Sequence, residues 1–190
     1  QATNLFVTPA GIPGNNTTLD TQTMKGIDIG VEWGVTDTLT VNVTGFYEWF
    51  RNELVSQSAG ANLLNYTFNA PKSEHRGVEA AAEWRPFKGA KGSVAYLFNE
   101  QTYTEYQERL SAGAFSTQFD RAGKAIPGVP RQNVNLRLGY DAPAGPARGL
   151  GGFVEMNWRE SAFADNANLL RTPGYTLFNL NAHYTPTGGL

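Results

Sequence analysis

The clearest structural signal is Leu39-Thr-Val-Asn-Val-Thr-Gly-Phe-Tyr-Glu-Trp49. Its odd-numbered positions carry Leu, Val, Val, Gly, Tyr and Trp, while its even-numbered positions carry Thr, Asn, Thr, Phe and Glu. Successive side chains of a strand point to opposite sides, so this period of two predicts a β-strand with one apolar and one largely polar face. At about 3.3 Å per residue the stretch is ~33 Å long, and a tilt of about 40° gives it roughly the 25 Å height of an outer-membrane apolar band.

Six further stretches alternate in the same way. The seven predicted strands are Thr23–Trp33, Thr38–Asn52, Lys72–Arg85, Gly92–Glu100, Arg131–Tyr140, Gly152–Arg159 and Gly174–Tyr184. Aromatic residues mark both ends of their apolar faces: Trp33, Trp84, Tyr140 and Tyr184 at one end, and Tyr47, Trp49, Phe98 and Trp158 toward the other. Aromatic rings favour the membrane–water interface, so this placement predicts two interfacial belts.

The connections between the predicted strands differ in length in a regular way. In order they are Gly34–Asp37, Asn52–Pro71, Pro86–Lys91, Gln101–Pro130, Asp141–Gly151 and Glu160–Pro173. The first and third are short, the second and fourth are long, the fifth is intermediate and the sixth is longer again. Short periplasmic turns and long extracellular loops are typical of membrane barrels. We therefore predict an all-β fold, an antiparallel up-and-down transmembrane β-barrel segment; a soluble β-sandwich binding module, which also alternates, is the alternative.

Composition excludes several other classes of protein. The net charge of −2 indicates no nucleic-acid partner, and the absence of cysteine excludes disulfides and thiolate metal sites. No apolar run approaches the roughly 18–20 residues of a transmembrane helix. The two histidines, His75 and His183, lie on different predicted strands without ligand spacing, and GxSxG is absent. We expect no catalytic residues, no metal site and no cofactor.

Several motifs resemble one known family. Asn69-Ala-Pro-Lys-Ser-Glu-His-Arg-Gly-Val-Glu79 resembles the beginning of a strand in the barrels of TonB-dependent receptors. Further similar motifs are Gly26–Glu32, Ala125–Arg131, Phe163–Asn168 and Thr172–Asn179. The resemblance covers roughly residues 20–190. It places Gly77 and Glu79 on the lumen face, where we expect the glycine to leave room for an inner plug domain and the carboxylate to meet an arginine.

The resemblance implies a C-terminal part of a larger barrel of about 22 strands. Residues 1–190 would then lack the plug domain and the final strands; the start at Gln1, without initiator Met or signal peptide, and the end in turn residues fit a piece of a longer chain. The implied protein lies in the outer membrane of a Gram-negative bacterium, contacts its lipid, and takes up a ferric-siderophore-like ligand with energy from TonB through the plug. Uptake of haem, cobalamin or a glycan, and an outer-membrane enzyme, are the alternatives.

Aromatic and arginine residues of the two long loops are the candidate ligand contacts. They are Tyr66, Phe68, Tyr103, Tyr106, Arg109, Phe119 and Arg121. Ferric chelates are often anionic and carry flat aromatic groups, which guanidinium and phenol side chains bind by charge-assisted hydrogen bonds and stacking. The same residues could instead pack the loops against one another.

Overall fold

A computed structural model describes the backbone of residues 5–7, 13–15, 19–58, 65–112 and 115–185, and the side chains of residues 19–54, 69–108 and 117–185. These residues form strands and turns. In chain order the strands are β1 Leu5–Val7, β2 Pro13–Asn15, β3 Thr23–Thr36, β4 Leu39–Ser58, β5 Asn65–Trp84, β6 Ala90–Glu105, β7 Gln107–Ala112, β8 Phe115–Asp120, β9 Gln132–Asp141, β10 Leu150–Arg159, β11 Ala162–Phe163, β12 Arg171–Thr172 and β13 Tyr175–Tyr184.

Seven of these strands form one antiparallel sheet in the order β13-β10-β9-β6-β5-β4-β3. Each of these strands pairs with the next long strand along the chain, without a crossover. This is the up-and-down arrangement predicted from the alternation, and all seven predicted strands are confirmed. The remaining strands form three separate two-stranded pairs, β1–β2, β7–β8 and β11–β12.

The sheet is a single layer with one apolar face and one polar face. Apolar side chains on one face stay exposed even in the middle of the sheet, where Val78 is 40% and Leu138 48% accessible. The opposite face lines a hollow of about 850 Å³ whose walls include Asn42, Asn133 and Asn135. A soluble sandwich would bury its apolar face against a second sheet. That alternative is wrong, because no such layer covers this face in the described part of the chain.

The few buried apolar side chains among the described residues lie away from the sheet centre. They are Ala70, Tyr103, Tyr106, Ile126 and Ala162. All of them belong to the edge with the long connections, above the alternating stretches. The described residues contain no helix long and apolar enough to cross a bilayer.

Aromatic side chains mark the opposite edge of the apolar face. Trp84 is paired with Leu39 on one side and Gly92 on the other, and Tyr184 is paired with Leu150. Trp33, Trp84, Tyr140 and Tyr184 are all largely exposed on this face. The predicted belt at the short-turn end is therefore present.

The predicted loop boundaries at the long-connection end are wrong. Asn52–Pro71 is not a loop, because β4 continues to Ser58 and pairs with β5 from Asn65 onward. Gln101–Pro130 contains the end of β6 and the β7–β8 hairpin. Above a membrane both faces of a strand meet water, so these extensions need no apolar alternation. The strands continue although the sequence pattern that predicts them has stopped.

Neighbouring alanines in the middle of β5 provide a test of the two faces. Ala80 pairs with Val43 on the apolar face, whereas Ala81 pairs with Asn42 on the polar face. We expect Ala80→Arg to lower the free energy of unfolding of the full-length protein by about 2–4 kcal/mol, because it places a charge in hydrocarbon, and Ala81→Arg to cost far less. Equilibrium denaturant unfolding from lipid vesicles measures both. Equal costs, or a larger cost for Ala81→Arg, would contradict the assignment of the faces.

Candidate functional site

A small core forms at the long-connection end of the sheet. Tyr103, near the end of β6, is fully buried, and its ring centre lies 4.8 Å from that of Tyr106. Ala70 and Ile126 complete this core, and Val129 packs against it. Aromatic packing of this kind adds about 0.5–1.5 kcal/mol beyond the area buried. The loops at this end therefore have a core of their own, separate from the membrane-facing wall.

A chain of polar contacts runs through the same core. The Tyr103 hydroxyl donates to Oδ1 of Asn166 at 2.9 Å, and Nδ2 of Asn166 donates to Oε1 of Glu108 at 2.8 Å. Arg121 donates to the other Glu108 oxygen through Nε at 2.8 Å, and its second guanidinium nitrogen lies 2.7 Å from the same oxygen. Burial raises the pKa of the Tyr103 hydroxyl well above its ordinary value, so the group is a neutral donor at physiological pH.

Further hydrogen bonds, two of them between the Asn168 side chain and the backbone, join the same two loops. Asn168, with a left-handed φ of 60°, accepts from the Ala125 amide at 2.7 Å and donates to the Ala125 carbonyl at 2.9 Å. The Gly128 amide donates to the Phe163 carbonyl at 2.8 Å. The motifs Ala125–Arg131 and Phe163–Asn168 are therefore contact partners.

The predicted ligand contacts occupy different environments. Tyr103, Tyr106 and Arg121 lie together in the loop core. Phe119 is 41% accessible on the β7–β8 hairpin, and the Arg121 guanidinium carbon lies 5.1 Å from its ring centre. The side chains of Tyr66, Phe68 and Arg109 lie outside the described residues. Contact of the seven residues with a ligand stays a prediction.

A second buried polar cluster was missed by the sequence analysis. His75 Nε2 lies 3.2 Å from Oε1 of Glu53, and His75 Nδ1 lies 3.8 Å from Oε2 of Glu48. Ser73 donates its hydroxyl hydrogen to Glu53, and the Phe50 ring stacks over His75 at 4.2 Å between ring centres. This cluster lies on the polar face of β4 and β5, between the alternating stretches and the long connections.

The backbone at Asn52 explains why Glu53 belongs to that cluster. Strict alternation from Trp49 would point Glu53 away from the polar face. Asn52 adopts a left-handed φ of 53°, which asparagine tolerates better than most residues, and Pro71 lies opposite it on β5. The alternation of side chains is shifted at Asn52, so the Glu53 side chain points to the polar face and is buried. The asparagine and proline, where the alternation stops, were the available sequence signal.

Side-chain hydrogen bonds join β9 and β10 on the polar face. Arg137 donates to one oxygen of Glu155 through Nε at 2.9 Å and Nη2 at 2.6 Å, while Asn157 donates to the other oxygen at 2.8 Å. Asn135 donates to Asn157 at 2.7 Å. Paired in this way, the inward polar groups hold neighbouring strands in register.

Gly77 and Glu79 lie on the polar face as predicted, but the space above Gly77 is filled. A Cβ at Gly77 would overlap the Phe98 carbonyl oxygen on β6 and lie 2.6 Å from the Phe46 ring, so the glycine makes room for both groups. These neighbours belong to the sheet itself, so the expectation that Gly77 leaves room for an inner domain stays a prediction. Glu79 and Asp28 border a second, smaller hollow of about 450 Å³ next to the first, and neither carboxylate has a hydrogen-bond or ion-pair partner among the described residues.

A comparison with known protein families identifies the family of this chain. The model of the family described as TonB-dependent receptor-like, β-barrel, matches residues 1–190. No curated protein sequence matches the chain.

Solved structures share the fold at low sequence identity. The siderophore receptor PiuA from Acinetobacter baumannii is 20% identical, with a TM-score of 0.66 over 93% of this chain and 24% of its own. The ferric yersiniabactin uptake receptor FyuA from Yersinia pestis is 18% identical, with a TM-score of 0.61 over 86% of this chain and 22% of its own. The copper transporter OprC is 14% identical, with a TM-score of 0.62 over 90% and 24%. The chain thus spans less than a quarter of each.

Two tyrosines of β6 provide a test of the loop core. Tyr103→Phe removes the hydrogen bond to Asn166, whereas Tyr96→Phe removes one of similar length to Gln132 within the sheet. A lost hydrogen bond costs about 1 kcal/mol, so we expect amide exchange in residues 160–173 of the full-length protein to speed up about fivefold in Tyr103→Phe alone. Mass-spectrometric hydrogen exchange measures this. An equal response to Tyr96→Phe, or none to either, would show that the contact does not join the loops.

Proposed function

Because this chain belongs to the family of TonB-dependent receptor β-barrels, we propose that the protein containing it takes up an iron–siderophore-like complex across the outer membrane. Proteins of this family lie in the outer membrane of Gram-negative bacteria and are transporters, not enzymes. The observation that most supports the proposal is the two-faced wall, with apolar side chains outside and a polar hollow inside. Such a wall encloses a hydrophilic path through hydrocarbon.

The proposal extends to the architecture beyond the described sheet. Residues 1–190 form the C-terminal part of a barrel of about 22 strands, which further strands close and a plug domain fills. Supporting this, β3 and β13 each have an unpaired edge in the described sheet. Lipid cannot hydrogen-bond such edges, so further strands are needed to satisfy them.

Energy for release into the periplasm comes from TonB, acting on the plug. The open carboxylates of Asp28 and Glu79 support contact with an inner domain. Both border the same smaller hollow, and neither has an ion-pair partner in the described part of the chain. Cationic side chains of a plug domain would pair with them, and a weak pair of this kind can break when the plug moves.

Ligand recognition takes place at the long-loop end. Phe119 offers an exposed aromatic surface beside the Arg121 guanidinium, which pairs with Glu108, and Glu108 in turn accepts from Asn166 of the loop core. The Arg121 amide donates to the Tyr106 carbonyl at 2.9 Å, which joins the hairpin to the core of Tyr103 and Tyr106. An anionic, aromatic chelate fits such a rim by stacking and by attraction to guanidinium groups.

Uptake by cells that express the full-length protein tests the proposed function. We expect radioactive iron presented as a siderophore complex to bind at the surface and to enter the cell, and a protonophore to abolish entry while leaving binding intact. Competition with haem, cobalamin, an oligosaccharide and copper ions identifies the ligand class. Entry that persists without the proton gradient, or displacement by haem, cobalamin, the oligosaccharide or copper but not by the unlabelled siderophore complex, would contradict the proposal.

Two exposed phenylalanines at opposite ends of the wall test the ligand rim. Phe119 lies on the β7–β8 hairpin, and Phe87 lies in the short turn between β5 and β6. We expect Phe119→Ala to raise the dissociation constant for the ferric complex about fivefold, because a stacking contact is lost, and Phe87→Ala to leave it unchanged. Binding to the purified full-length protein is measured by fluorescence titration. Equal dissociation constants for the two variants would show that Phe119 does not contact the ligand.

A further inference from the structure

Three cationic side chains meet on the apolar face of the sheet, near its extracellular edge. They are Lys25 on β3, Arg51 on β4 and Lys72 on β5. Arg51 is directly opposite Lys72, and Lys25 is opposite Trp49, two residues before Arg51. Side chains in such positions lie within about 5–8 Å of one another. Together with Trp49 and Thr104 they surround a hollow of about 530 Å³, which we call the cationic groove.

Two of these three cations have no carboxylate partner in the described part of the chain. Neither Lys25 nor Arg51 forms a side-chain hydrogen bond or ion pair with any described residue, and both are exposed. Lys72 shares its charge with Glu105, which is itself more than half exposed. Glu74 also borders the groove, and it accepts the Tyr47 hydroxyl hydrogen. Three cationic side chains against the two carboxylates of Glu74 and Glu105 leave the groove an excess of one positive charge.

The height of the groove on the wall limits what can fill it. Trp33 marks the short-turn belt, and Lys25 lies eight residues above it on the same strand. That distance is roughly 26 Å along the strand, or about 20 Å of height at a tilt of about 40°. Lys25 therefore lies near the upper limit of the hydrocarbon, with Ile27 and Ile29 exposed directly below it. An occupant needs an anionic head and an apolar tail.

We propose that the cationic groove binds the phosphate-bearing headgroup of a lipid in the outer leaflet. The Arg51 guanidinium presents paired donors that match phosphate oxygens, and Lys25 and Lys72 add point charges beside it. The acyl chains lie below, over Ile27 and Ile29 and against the ring of Trp49. This lipid site is on the outside of the wall and does not depend on which ligand passes through the lumen.

Lipid binding to the full-length protein in phosphatidylcholine nanodiscs tests the site. The probes are lipid A with both phosphates, the same lipid after enzymatic dephosphorylation, and inorganic phosphate. Removing two interfacial cations weakens binding of an anionic lipid by about 30-fold, so we expect that loss in Lys25→Gln/Arg51→Gln. The matched control is Lys88→Gln/Arg148→Gln, which removes two exposed cations from the opposite rim.

The expected result is tight binding of phosphorylated lipid A, a loss confined to the groove variant, and recovery in the charge-preserving variant Lys25→Arg/Arg51→Lys. Equal binding of the dephosphorylated lipid would overturn the proposal, since the acyl chains alone would then account for binding. An equal loss in the control would leave only a general attraction of cations to the membrane surface. Competition by inorganic phosphate at comparable concentration would identify a site for soluble anions rather than for lipid.

Discussion

A backbone amide or carbonyl in hydrocarbon has no water to bond, so each one must find its partner on a neighbouring strand. This constraint accounts for the unbroken antiparallel ladder from β3 to β13. It also explains why the sheet can be one layer thick. Lipid takes the place that a second sheet has in a soluble protein, and apolar side chains such as Val78 and Leu138 stay uncovered by protein. The polar face can then line a path for a hydrophilic ligand.

The extracellular end is stabilised by different interactions. There the strands have left the hydrocarbon, and loops associate through Tyr103, Ile126 and the hydrogen bonds of Asn166 and Asn168. A core of this size can open without disturbing the wall, because the two share few side chains. Ligand-binding loops need such independence, since they must adapt while the barrel stays closed. The wall and the loop core can therefore serve transport and recognition separately.

The amount that sequence alone predicts differs between these two parts. In the wall, alternation in stretches such as Leu39–Trp49 predicts the strands, their order and their faces, because lipid and lumen impose a local period of two. Beyond Asn52 the pattern ends although pairing continues to Ser58. Tyr103 and Arg121 attract attention by residue type, but Asn166, 63 residues from Tyr103, has no local pattern that predicts their contact. Side-chain networks between distant loops depend on the closed fold.

The direction in which alternate side chains of β4 point is the central claim, and spin labelling measures it directly. Residues 1–190 contain no cysteine, so single cysteines can be placed in turn at positions 41 to 44 of the full-length protein in a bilayer once any cysteine outside this range is replaced. Collisions with oxygen, which concentrates in hydrocarbon, should dominate at Val41 and Val43, and collisions with a water-soluble nickel complex at Asn42 and Thr44. Low accessibility to both reagents at Val41 and Val43 would mean that these side chains are packed inside protein, and would contradict a lipid-facing wall.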